Sequence, residues 1–190
     1  MHLATGIIFG SWAVYCLVWL AASFAVKRDI TQKQRWWRRW WIIRLAVVLV
    51  VTSVVDMLFR SGGYSWPYAG NSNMTLIDGG ALLTFCGIAL AVWARFYLGR
   101  NWSGSPSLKE NHELVTSGPY ALVRHPIYTG ILTAVFGSSL ASPIWFVLFA
   151  LLSGMFIRRI GIEEKLMMQT FPKQYPDYKK RTYALIPWVW

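Results

Sequence analysis

The chain has 190 residues, of which 55% are hydrophobic, 16% aromatic and only 14% charged, with a mean hydropathy of +0.38. Soluble domains carry about 25% charged residues, so this composition excludes an ordinary water-soluble globule and calls for a chain embedded in lipid. The net charge of +11 does not make it a nucleic-acid binder, because Lys and Arg gather beside apolar runs and cover no broad polar face.

Five apolar segments follow one another along what reads as one domain: three spans in residues 1–98, then a half in residues 99–190 with a helical hairpin and a C-terminal tail. Leu3 to Val26 and Met74 to Leu98 are long enough to cross a hydrocarbon core of about 30 Å. The first is too long, and lacks the basic start, for a cleaved signal peptide, so it reads as a retained anchor. Ile42 to Phe59 also suffices, with Arg44 snorkelling at one end and Asp56 seeking an interface at the other. Pro126 to Leu140 and Pro143 to Ile157 are short, and the Ala141-Ser142-Pro143 turn joins them as a tight helical hairpin. The expected fold is therefore an all-α integral membrane protein of about five transmembrane helices. A cytosolic loop and the C-terminal tail complete it.

Basic residues orient the segments. The stretches Lys27 to Arg44, Arg95 to Arg124 and Arg158 to Arg181 hold seven, four and seven Lys or Arg; only Arg60 falls on the other side. That bias places the N-terminus outside and the C-terminus in the cytosol. The twelve Trp and nine Tyr suit interfacial belts, and Trp36-Trp37-Arg38-Arg39-Trp40-Trp41 suits a girdle on anionic headgroups. Cys16 and Cys86 lie within apolar runs and read as small core residues, neither bridged nor metal-bound.

Polar residues collect at the ends of the last hairpin. Gly99, Gly104, Pro106, Gly118 and Pro119 mark a structured loop that carries His112, Glu113, Leu114, Val115 and Tyr120. Pro126 suits the first position of a helix, which puts His125 at the N-cap and Ile127 and Tyr128 in the first turn. Free amides at such a start suit a carboxylate or phosphate. The last apolar helix should run on through Arg158 and Arg159 to Met168, with Arg159 and Glu163 four residues apart on one face. Spacing alone favours a helix-stabilising ion pair at the membrane surface. Placement of both elements at the cytosolic end of one hairpin is what suggests a shared pocket. His2, His112 and His125 have no metal-ligand spacing, and no nucleophile elbow, Walker loop or dinucleotide fingerprint is present.

At these residues the chain resembles the isoprenylcysteine carboxyl methyltransferase family, within a wider group of small membrane methyltransferases that includes phospholipid methyltransferases. The resemblance runs through Gly99-Arg100-Asn101-Trp102-Ser103, His112 to Tyr120 and Arg124-His125-Pro126-Ile127-Tyr128-Thr129-Gly130. It continues to Arg159, Glu163-Glu164, Tyr175, Tyr178, Arg181 and Ile186-Pro187, the C-terminal half of the chain. It implies S-adenosyl-L-methionine as methyl donor, held by His112, Glu113, Leu114, Val115, Tyr120, His125, Pro126, Ile127, Tyr128 and Glu163. Arg159 would contact a lipophilic acceptor entering from the bilayer, and Arg159 and Glu163 would carry catalysis. The five-span size matches the small prokaryotic members, implying an inner membrane.

The chemistry of the residues is compatible with these roles. Glu163 suits the cationic side of the donor and Tyr120 and Tyr128 offer aromatic faces. A carboxylate acceptor is already ionised near neutral pH and needs no general base; Arg159 can hold it bidentately. An amine acceptor, as in phospholipid N-methylation, needs a base such as Glu163 or Glu164. Sterol-type membrane reductases share an Arg-His-Pro-x-Tyr layout but use NADPH, which leaves three chemistries to be separated.

Overall fold

A computed structural model describes residues 3–23, 74–99, 102, 113–142 and 144–190. The expected span Ile42 to Phe59, the Trp36–Trp41 block, Arg60 and His112 lie outside the described residues. Among those described, the chain is helical throughout: α1 (Leu3–Ser23), α2 (Met74–Leu98), a 3-10 turn (Gly118–Ala121), α3 (Pro126–Ala141), α4 (Ile144–Thr170) and α5 (Gln174–Arg181). The one β feature described is an isolated parallel bridge between Val123 and Tyr183.

Three of these helices are long and apolar enough to cross a membrane: Leu3–Ala22, Met74–Leu98 and Trp145–Thr170. At 16 residues, α3 reaches only about 24 Å at about 1.5 Å per residue, short of a hydrocarbon core. Its partner α4 has 27 residues, so the final hairpin has one short arm and one long arm. The long arm arises because strong helix formers (Glu163, Glu164, Lys165, Leu166, Met167, Met168) continue the apolar run past Arg159, and Pro172 stops it.

Small residues set how closely α2 and α3 approach. A Cβ on Gly80 would stand 2.5 Å from the Gly137 carbonyl oxygen, and one on Gly87 equally close to that of Gly130. The antiparallel helices thus meet at two reciprocal glycine contacts seven residues, or about two turns, apart. Ala134 between them, and Ala91 one turn beyond Gly87, are fully buried. In lipid no hydrophobic drive pulls helices together, so close backbone packing of small residues supplies the attraction. Polar side chains add to it at the same seam. The Thr84 hydroxyl donates to the Gly80 carbonyl at 2.8 Å and lies 3.2 Å from Ser138 Oγ, while Trp12 Nε1 of α1 donates to that Ser138 oxygen at 3.1 Å.

Arg95 closes the other end. It is 3% exposed and donates to the Gly99 carbonyl at 2.7 Å and to the Ala22 carbonyl at 3.0 Å, with its guanidinium 4.6 Å from the Trp102 ring. One side chain therefore satisfies carbonyls at the ends of both α1 and α2, where a cation also meets the negative end of each helix dipole.

One expectation is corrected. Cys16 and Cys86 are free, yet both are exposed on outward helix faces and are not core residues. These helices are apolar on every side, so hydrophobicity does not mark the face that turns inward.

Candidate active site

The site begins with Gly118, whose φ of +60° is a left-handed conformation open mainly to glycine. A Cβ there would also strike the Tyr97 ring at 2.4 Å. Pro119 follows as the second residue of the short 3-10 turn, which drives Tyr120 inward. Buried Tyr120 and Ile127 join Ala94 in a small core flanked by Val115, Trp19, Trp102 and Tyr128. The Tyr120 hydroxyl donates to the Ala94 carbonyl at 3.4 Å, and the Tyr178 hydroxyl donates to the Tyr120 carbonyl at 2.7 Å. Burial pushes both phenols above their ordinary range, so they remain neutral donors.

Pro126 occupies the first turn of α3 with His125 as its N-cap, as proline's fixed φ and missing N–H dictate. The backbone here is pinned by the chain beyond α5. The amide of Arg124 donates to the Tyr183 carbonyl at 2.7 Å, that of His125 to the Ala184 carbonyl at 3.1 Å, and that of Tyr183 to the Leu122 carbonyl at 3.1 Å. One turn into α3, the Thr129 hydroxyl reaches the Leu185 carbonyl at 2.8 Å.

Against this rim stands α4. The Tyr128 hydroxyl donates to Glu163 Oε1 at 2.8 Å, and Arg159 Nε donates to the same oxygen at 2.8 Å. His125 Nδ1 lies 3.6 Å from the other oxygen, Oε2. The His125 and Tyr128 rings are parallel at 5.5 Å, and Tyr128 stacks on Phe156 at 4.4 Å. The Arg159 guanidinium also sits 5.7 Å from the centre of the Tyr128 ring. A carboxylate, a cation, an imidazole and a phenol from two helices are therefore gathered around one point, with the Glu163 side chain 20% exposed.

The sequence expected these residues to converge, and His125, Tyr128, Arg159 and Glu163 do so. Tyr120, Ile127 and Val115 line the adjoining apolar cluster, with Pro126 buried beneath. Glu113 is exposed and Leu114 partly buried on the stretch leading in, and among the described residues no hydrogen bond ties Glu113 to Glu163. Phe156 was missed, although it lies seven residues before Glu163 and shares its helix face. The partners of Glu164 were also missed: Arg124 Nε at 2.7 Å and Lys179 Nζ at 2.5 Å. Their sequence separation leaves no periodic signal. Among the described residues there is no group of three or more His, Cys, Asp or Glu that could hold a metal ion.

Residues 80–169 match the model of the isoprenylcysteine carboxyl methyltransferase family, a segment that contains this constellation. Over 148 residues the chain is 30% identical to protein-S-isoprenylcysteine O-methyltransferase B of Arabidopsis thaliana, spanning 75% of this chain and 72% of that protein. The chain belongs to the isoprenylcysteine carboxyl methyltransferase family. It is thus a membrane enzyme of the methyltransferase class. Within the isoprenylcysteine carboxyl methyltransferases, the rat protein-S-isoprenylcysteine O-methyltransferase is 36% identical over 115 residues, which cover 58% of this chain and 40% of the rat protein. Bacterial relatives exist too: the nickel-cobalt-cadmium resistance protein NccN of Alcaligenes xylosoxydans xylosoxydans is 30% identical over 150 residues, 76% of this chain and 64% of that protein.

Proposed function

We propose that the protein transfers a methyl group from S-adenosyl-L-methionine to the carboxylate of a lipophilic, isoprenylcysteine-type acceptor. The observation that carries this reading is the meeting of Tyr128 and Arg159 on Glu163 Oε1, with His125 at Oε2. A donor bearing a sulfonium and an ammonium needs a fixed carboxylate and aromatic walls, and Glu163 flanked by Tyr128 and His125 fits that need. The bound donor supplies a methyl group already activated on sulfur. The chain's own residues then have three tasks.

Glu163 holds the cationic part of the donor through the oxygen that faces His125. Arg159, beside it, directs its remaining guanidinium N–H groups to an incoming carboxylate and fixes the direction of attack. Tyr128 and Phe156 form an apolar wall that keeps water from the acceptor oxygen, whose nucleophilicity rises as it is desolvated. No proton has to move, because the acceptor is ionised before it arrives. Glu164 already holds Arg124 and Lys179, and Glu163 is committed to Arg159 and to the donor, so neither is left as a base for an amine; this argues against N-methylation.

The lipid tail of the acceptor enters from the bilayer. The distribution of basic residues supports an N-terminus outside and a C-terminus in the cytosol. Incubation of the protein in nanodiscs with methyl-labelled donor and an S-prenylated cysteine tests the reading. The expected product is a base-labile methyl ester; label found only in base-stable phospholipid headgroups would overturn it.

A further inference from the structure

We propose that Glu164 and Arg124 form a positioning pair that sets the donor-facing residues from outside the pocket. The proposal rests on the donor site described above, but it concerns residues that do not touch the donor. Neighbouring residues on a helix point about 100° apart, so Glu163 and Glu164 meet different partners. Glu163 takes Tyr128 and Arg159. Glu164 takes Arg124 Nε at 2.7 Å and Lys179 Nζ at 2.5 Å. His125 lies in the fork between them, Nδ1 3.6 Å from Glu163 and Nε2 3.7 Å from Glu164. Its side chain is 10% exposed, and Nε2 is buried without a hydrogen bond of its own.

Arg124 links this fork to the rest of the chain. Its guanidinium also donates to the carbonyls of Lys179, at 3.2 Å, and Thr182, while its amide and that of His125 hold the bridge to residues 183–184. The strip of residues 122–125, which ends in the cap of α3, is therefore fastened to α4 through the Glu164 carboxylate. Tyr128 follows one turn later. Removing the Glu164 charge leaves Arg124 buried without its anion, and the strip can then shift His125 and Tyr128 away from Glu163. A purely structural pair would lower stability and leave the geometry of the folded site unchanged.

Glu164→Gln keeps the shape and removes the charge, and Glu164→Asp keeps the charge. Calorimetry with S-adenosylhomocysteine on the folded, nanodisc-embedded protein should show about tenfold weaker binding for Glu164→Gln, since misplacement on the ångström scale has effects of that size or larger. The donor KM should rise in parallel, with the acceptor KM unchanged and most of the affinity restored in Glu164→Asp. Glu164→Gln/Arg124→Gln should bind no more weakly than the weaker single variant, because both act through one contact. Amide exchange of residues 122–128, measured without any ligand, should accelerate in Glu164→Gln. Wild-type donor affinity together with unchanged exchange in that variant overturns the proposal. If wild type itself binds no S-adenosylhomocysteine, the donor reading fails, while the ligand-free exchange still decides whether Glu164 positions the strip.

Discussion

Glu163 receives a phenol and a guanidinium on one oxygen and an imidazole beside the other, so its replacement should be felt first in donor binding. A charge-assisted contact is worth about 1.5–3 kcal/mol, so Glu163→Ala should weaken S-adenosylhomocysteine binding by about 10- to 100-fold. Tyr128→Phe removes only one hydrogen bond, of about 1 kcal/mol, and should cost about fivefold in the same titration while keeping the stack on Phe156. Arg159→Ala should instead cut kcat by about 100-fold, because it orients the acceptor; a larger effect on donor affinity than on turnover would reassign it. Spacing placed Arg159 and Glu163 one turn apart and Pro126 at a helix start, but their roles as site residues rested on the family resemblance. Partners joined through the tertiary fold were not legible. Nothing local in the sequence ties Arg124 to Glu164, 40 residues away, or Thr129 to the Leu185 carbonyl.

Helices α2 and α3 are held by backbone contact at Gly80–Gly137 and Gly87–Gly130. A branched side chain at Gly87 has no room, because its Cβ would meet the Ala134 amide and the Gly130 carbonyl at 2.5 Å. Gly87→Val should therefore cost about 1–3 kcal/mol by overpacking, read as a lowered midpoint in thermal unfolding. Gly79, with open space around its Cβ position, is the control: Gly79→Ala should be neutral or gain about 0.5–1 kcal/mol from helix entropy. The apolar stretches Leu3 to Val26 and Met74 to Leu98 announced α1 and α2, described over Leu3–Ser23 and Met74–Leu98. The inward face was not announced, since every face of a lipid-embedded helix is apolar. Cys16 and Cys86 show the consequence, having been placed in the core when they lie outside it. Arg95 shows it in reverse: counted as one more cytosolic charge, it is a buried clasp on two helix ends.

The molecule as a whole joins a short α3 to a long α4 and folds the chain beyond α5 back against the start of α3. Arg124, Arg158 and the basic residues that follow flank the site, so the donor is expected from the cytosol and the acceptor's tail from the inner leaflet. In a Cys16→Ala/Cys86→Ala background, which should unfold within about 0.5 kcal/mol of wild type, Lys180→Cys should react with a membrane-impermeant maleimide only when the cytosolic side is open. Labelling of intact cells from outside would reverse the orientation. The methyltransferase reading of the site is tested most directly by one titration, S-adenosylhomocysteine and NADPH in turn into nanodisc-embedded wild type and Glu163→Ala. It predicts saturable heat with S-adenosylhomocysteine in wild type, strongly weakened in the variant, and none with NADPH. Binding of NADPH alone, or equal S-adenosylhomocysteine affinity in both proteins, would contradict it.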